Sequence, residues 1–147
     1  MRSAYFFIRY SVAATVLTSA LWFGSALQAV ARPTIDVIES GALEVSPYNP
    51  NRLETSLPAV VRIRTEQPIR IEVLPGRLRN GPDGDPSGTE RVVMVRHGSH
   101  QVNSRSGDRT LQLPAGTTEL EVVMQVDRPE RFAPGSYTYA LSISVVD

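Results

Sequence analysis

The chain has no cysteine and no lysine; all of its 15 basic residues are arginine. Without cysteine there is no disulfide, no thiol nucleophile and no lipid anchor on a processed N-terminus. Without lysine there is no lysine-based catalysis and no lysine-to-asparagine isopeptide crosslink. Histidine is scarce, with His97 and His100 the only two. No segment offers ten residues of helical periodicity with a cap. A surplus of positive charge is missing as well. The formal net charge is zero, and without Arg2 and Arg9 the acidic residues outnumber the arginines. That argues against a nucleic-acid binder, which needs clustered positive charge to neutralise phosphate.

What is present begins with an address. Arg2 and Arg9 precede SVAATVLTSALWFGSALQAV, residues 11–30, which carries no charge. Ala29, Val30 and Ala31 put small residues at the −3 and −1 positions of a signal-peptidase site. A positive start, an apolar middle and an A-x-A end predict a secretory signal over 1–31, cleaved after Ala31. Twenty uncharged residues could also just span a bilayer as a retained anchor. Thr15, Thr18, Ser19, Ser25 and Gln28 dilute the run and favour cleavage. The mature chain, 32–147, is then one domain with no membrane span, placed in the periplasm, in the medium or on the cell surface. It must fold on its core alone.

After residue 31 the hydrophobic period is two. Val61, Ile63 and Thr65 alternate with Arg62 and Arg64, and Ile69, Ile71 and Val73 alternate with Arg70 and Glu72. Leu120, Val122, Met124 and Val126 share one face, against Glu119, Glu121 and Gln125. Tyr137, Tyr139, Leu141, Ile143 and Val145 stand opposite Thr138, Ala140, Ser142 and Ser144. These are strands with one side in a core and one in water. RVVMV at 91–95 and TLQL at 110–113 add two, and TIDVIESGALEV at 34–45 holds one or two more, broken near Ser40-Gly41. Pro47 to Pro50, Glu66-Gln67-Pro68, Leu74-Pro75-Gly76, Pro114-Ala115-Gly116 and Ala133-Pro134-Gly135 read as turns. Seven or eight short strands of this kind predict an all-β, antiparallel, immunoglobulin-like β-sandwich, with a small barrel as the alternative.

The ending APGSYTYALSISVVD resembles the last strand of bacterial secreted immunoglobulin-like modules, in which a Pro-Gly turn leads into an alternating Tyr-x-Tyr strand. More distantly, the chain resembles pilin subunits of the chaperone–usher type, including the spore-coat-U-like group. In those, an alternating C-terminal strand opens after a glycine, here Gly135. The chain differs from them in lacking a cysteine pair, in having Val146 at the penultimate position, and in Glu39 and Gly41 interrupting the 34–45 stretch. The resemblance implies an incomplete sandwich and an N-terminal extension that completes a neighbour's sheet by strand addition. It makes Ile35, Val37, Leu43 and Val45 one face of that assembly strand.

The long connection Arg77–Glu90, containing GPDGDPSG, is the main place for a ligand. Asp83, Asp85 and Ser87 fall at the first, third and fifth positions of an EF-hand spacing, but Met94 stands where a bidentate glutamate is needed. With Glu90, the two aspartates could form a loose calcium site. The same residue types also make ordinary turns. His97 and His100 could join Asp83 or Asp85 on a metal, although three apart on a strand they point to opposite faces. The readings as solvated loop residues are the plainer ones, so no metal or other cofactor is assigned.

No serine elbow is present. Glu119 and Glu121 share a strand face without an evident cleft, so an enzyme is not expected. Arg62, Arg64 and Arg70 would form a basic patch for an anionic glycan if their strands pair, or a salt-bridged surface with Glu72, Glu119 or Glu121. The function expected is therefore structural or interactive at the cell envelope, a surface-fibre subunit being one form of it. A calcium- or glycan-binding module using 77–90 is the alternative.

Overall fold

The structure is a computed structural model that describes residues 3–12, 31–105 and 107–146. The signal-peptide reading falls mostly on 1–2 and 13–30, outside the described residues. The described residues form eleven strands: β1 (Ser3–Val12), β2 (Thr34–Glu39), β3 (Gly41–Val45), β4 (Arg52–Leu57), β5 (Ala59–Thr65), β6 (Ile69–Asn80), β7 (Glu90–His97), β8 (His100–Asn103), β9 (Thr110–Leu113), β10 (Gly116–Asp127) and β11 (Tyr137–Val146). No helix of the described residues is long and apolar enough to cross a membrane.

Apart from β1, the strands form two antiparallel sheets, of seven and three strands. In the larger sheet β10 is central. On one side it pairs with β7, which carries β8. On the other it runs along β5 and then β4, with Leu120 opposite Val61 and Val126 opposite Leu53. β2 and β3 line the outer side of β5 and β4, with Ile35 opposite Ile63 and Val45 opposite Leu53. Pro58 separates β4 from β5, and here the ladder to β10 opens. The Thr55 hydroxyl closes the opening: it donates to Met124 O at 2.9 Å and accepts from Met124 N at 2.7 Å. The smaller sheet is β9-β6-β11.

Both sheets contribute to one core. Ile63, Val95, Leu120 and Val122 from the larger sheet join Ile71, Leu113, Leu141 and Ile143 from the smaller. The alternation read in β5, β10 and β11 holds for most positions: the inward residues are buried apart from the half-buried Thr65 and Val145, while Ala140, read as facing water, is buried as well.

Three local expectations are corrected. Leu74-Pro75-Gly76 is not a turn. It is an irregularity inside β6, where the pairing to β11 shifts between Ala140 and Ser142 before continuing to Asn80. Proline is tolerated in a strand at such a bulge. The loop thus shrinks from 77–90 to 81–89, with Arg77 and Arg79 on a strand. His97 and His100 do not point to opposite faces of one strand. They face each other across a hairpin whose turn is Gly98-Ser99, with Gly98 at φ 58°; glycine at the first turn position suits a tight two-residue hairpin. Finally, β5 and β6 lie in different sheets, so Arg62, Arg64 and Arg70 do not form one patch across paired strands. Arg62 instead meets Glu119 directly opposite it on β10, at 2.6 Å.

Candidate functional site

Two places in the structure stand out as candidates, and both involve β11. The first is the position occupied by β1. This strand lies between β3 and β11, and among the described residues it is the one strand whose pairings connect the two sheets, which otherwise meet through side-chain packing. It runs parallel to β11 over nine positions, from Ala4 opposite Tyr137 to Val12 opposite Val145. It runs antiparallel to β3 over four, from Ser3 opposite Glu44 to Phe6 opposite Gly41. Every other pairing in the fold is antiparallel.

The walls of this position are well defined. The inward residues of β11, Tyr137, Tyr139, Leu141 and Ile143, are buried, as is Leu43 on β3. Opposite those four β11 residues in the register stand Ala4, Phe6, Ile8 and Tyr10. The other side chains of β11, Thr138, Ala140, Ser142 and Ser144, are small and uncharged, and no proline interrupts the strand. An edge of ten residues without charge, bulge or proline is what sheets usually avoid exposing. Yet residues 3–12 belong to the stretch that reads as a secretory leader. Without them, β3 and β11 are two unpaired edges bordering one slot.

The second place is a polar knot where the 81–89 loop meets the β10–β11 connection. Arg128 lies at its centre with its side chain 1% exposed. Its Nη1 donates to Asp83 Oδ1 at 2.9 Å, and its Nε and Nη2 donate to Asp85 Oδ1 at 3.1 and 2.8 Å. Arg91 Nη1 donates to the other oxygen of Asp85 at 2.7 Å. The Tyr139 hydroxyl donates to Asp85 Oδ1 at 3.0 Å. The Tyr137 hydroxyl lies 2.7 Å from Asp83 Oδ1 and 3.2 Å from the carbonyl of Ala133. The guanidinium also stacks over Phe132 and Tyr137, 4.3 and 4.8 Å from their ring centroids, and those two rings meet edge to face.

The charges follow from these contacts. The hydrogen bond from Tyr137, then that from Arg128, hold the Asp83 carboxyl below the usual carboxylate range. Burial works against the charge on Arg128, and its bonds to Asp83 and Asp85 overcome that, so its pKa is raised. Burial, with Asp85 beside it, pushes the Tyr139 phenol up as well, so it stays neutral and donates. Among the described residues no buried side-chain nitrogen or oxygen lacks a partner. Close packing completes the knot. Gly135, at φ 146°, lies against the ring of Pro82, where a Cβ would collide.

The residues singled out from the sequence are thus accounted for. Asp83 and Asp85 come together, but around an arginine; a cation placed between them would have to displace Arg128. Ser87 is exposed in a tight turn in which Thr89 Oγ1 donates to Pro86 O at 2.7 Å. Glu90 pairs with Arg105, away from Asp83 and Asp85. His97 and His100 sit at the far end of β7, and no group of three or more metal-ligating side chains occurs among the described residues. Ile35 and Leu43 are buried in the chain's own core, Val45 is half-buried, and Val37 is 44% exposed. Glu119 and Glu121 are each held by an arginine, Arg62 and Arg96. Sequence reasoning missed Arg128, which carries no local mark: its carboxylate partners lie 45 and 43 residues away. No protein-family model matches the chain, and no curated protein matches its sequence.

Proposed function

We propose that this chain is a secreted, non-enzymatic, immunoglobulin-like β-sandwich of the cell envelope that works by accepting a β-strand from another polypeptide. Export would remove residues 1–31 and open the slot, in the periplasm or at the cell surface. The observation that carries the reading is the β1 position: a strand from the leader segment is all that joins β3 to β11. Strand addition supplies main-chain hydrogen bonds for affinity and pockets at alternate side chains for specificity. The slot offers both, and the resemblance to chaperone–usher pilins points the same way.

Tyr137 supports the immunoglobulin-like part. It opens the last strand, and its hydroxyl reaches back to the carbonyl four residues earlier, as in the tyrosine corner of such domains. The remaining edges support the choice of slot. β8 and β9 are four residues long, and β2 carries Asp36 and Glu39 and a bulge. Short, charged or bulged edges resist pairing.

The test uses the protein exported from the full-length gene and recovered from the periplasm. A synthetic peptide of residues 3–12, SAYFFIRYSV, is the probe. At about a hundred times its dissociation constant a ligand adds roughly 2.7 kcal/mol. In a domain of this size the melting temperature should then rise by on the order of 10 °C. The same peptide with Ile8→Asp, which puts a charge opposite Leu141, should bind far more weakly. Equal shifts from both peptides, or none from either, would remove the proposal.

A further inference from the structure

The strand-acceptor reading leaves open where the incoming strand comes from. The obvious source is a second copy, lending its own 34–45 stretch. The pairing within the fold argues against that. Ile35 stands opposite Ile63, Val37 opposite Val61, Leu43 opposite Thr55 and Val45 opposite Leu53. This stretch is the outer partner of β5 and β4 along its length, and Ile35 and Leu43 reach into the core. After cleavage at Ala31 only Arg32 and Pro33 precede it.

There is a stronger objection. β3 is one wall of the slot. A chain that gave away residues 34–45 would dismantle the site at which it receives. Donating and accepting with this segment are mutually exclusive in one molecule. Among the described residues after 31, the other strands of alternating apolar pattern, β5, β6, β7, β10 and β11, are likewise bound in the chain's own sheets.

We infer, resting on that reading, that this domain is a one-way acceptor: it takes a strand from a different polypeptide, and its own described strands after residue 31 cannot be passed on without dismantling the fold that receives. It therefore ends a row of subunits and does not extend one. The partner is defined by its chemistry. It carries an unpaired segment of about ten residues with apolar side chains at four alternate positions, to sit opposite Tyr137, Tyr139, Leu141 and Ile143 as Ala4, Phe6, Ile8 and Tyr10 do in the register. At the alternate positions it meets Thr138, Ala140, Ser142 and Ser144, which offer no charge to pair with and stand opposite residues as different as Tyr5, Phe7, Arg9 and Ser11 in the register.

The experiment follows oligomeric state. The protein is exported from the full-length gene, its N-terminus is fixed by mass, and it is examined by size-exclusion chromatography with light scattering across a hundredfold range of concentration. A monomer throughout, binding one SAYFFIRYSV peptide per chain and ignoring a peptide of residues 34–45, is the expected result. Oligomers that shrink when SAYFFIRYSV is added would overturn the inference while keeping the acceptor reading, because the chain would then donate as well. A monomer that binds neither peptide would overturn the acceptor reading and this inference with it. A mass that includes residues 1–31 would do the same, since the slot would be filled from within. If the processed chain survives only when residues 3–12 are co-exported on a carrier protein, a complex that stops at one to one supports the inference. A ladder of larger species counts against it.

Discussion

The knot around Arg128 and the slot beside β11 share a strand but differ in completeness. In the knot, each partner comes from the folded domain: Asp83 and Asp85 from one loop, Arg128 and Phe132 from another, Tyr137 and Tyr139 from β11. No buried side-chain nitrogen or oxygen among the described residues is left without a partner. In the slot, two strand edges rely on a segment that reads as a secretory leader. The charged residues that look like a binding site hold the domain together, while on the proposed reading plain backbone edges receive the partner. A cluster of functional-looking residues is evidence for a ligand only when it remains unsatisfied.

The contrast can be broken most forcefully at Arg128. Replacing it with alanine leaves Asp85, whose side chain is 10% exposed, without its main countercharge. Removing one partner of a buried ion pair costs about 3–5 kcal/mol, so thermal unfolding of Arg128→Ala should show a melting temperature lower by on the order of 10–20 °C. The peptide-induced rise should persist in this variant when measured below its melting point, because the knot shares only Tyr137 and Tyr139 with the β1–β11 register, and the pairings from Ala140 to Val145 and those to β3 lie outside it. Loss of peptide binding together with stability would mean the two regions are one.

A smaller effect separates the halves of the knot by pH. Asp83 has a folded pKa below its unfolded value, which is near 3.9. Its contribution is therefore complete above the unfolded pKa and is lost as pH falls through the folded one. With 44% of the side chain exposed, screening limits it to at most about 1 kcal/mol. Wild type should exceed Asp83→Asn in stability at neutral pH, and the two curves should converge on acidification below about pH 4. A gap that stays constant to pH 2 would show that the carboxylate charge is not the cause. The smallest effect concerns calcium. Melting in calcium and in chelator should coincide within scatter, since Arg128 already occupies the space between the aspartates. A calcium-induced rise of several degrees would make the loop a metal site after all.

Much of the strand framework was legible because one face of most strands is wet. In β5, β10 and β11 polar and apolar residues alternate cleanly, and burial follows the alternation. β4 was not legible. RLETSL has one buried apolar residue, Leu53, and its key side chain, Thr55, works by hydrogen-bonding to the β10 backbone. β8, HQVN, likewise buries only Val102. Pro75-Gly76 looked like a turn because the local signals for turn and bulge are the same; only the pairing to β11 on both sides distinguishes them. The aspartates were visible as candidates, but their partner was not, because ion pairs across more than forty residues are decided by the fold. The slot has no sequence mark of its own, since a missing neighbour is a property of topology.

The direction in which β1 lies has a mechanical side. A strand seated between β3 and β11 along nine positions of β11 is held by bonds that run across its length, evenly spaced and slanted where it lies parallel to β11. Tension applied along that strand loads those bonds together, in shear. Tension applied across it would open them one after another, like a zipper. A partner tethered by the end of its inserted strand would thus pull in the direction in which the joint is strongest, and a domain held this way can carry load with no covalent link to its neighbour.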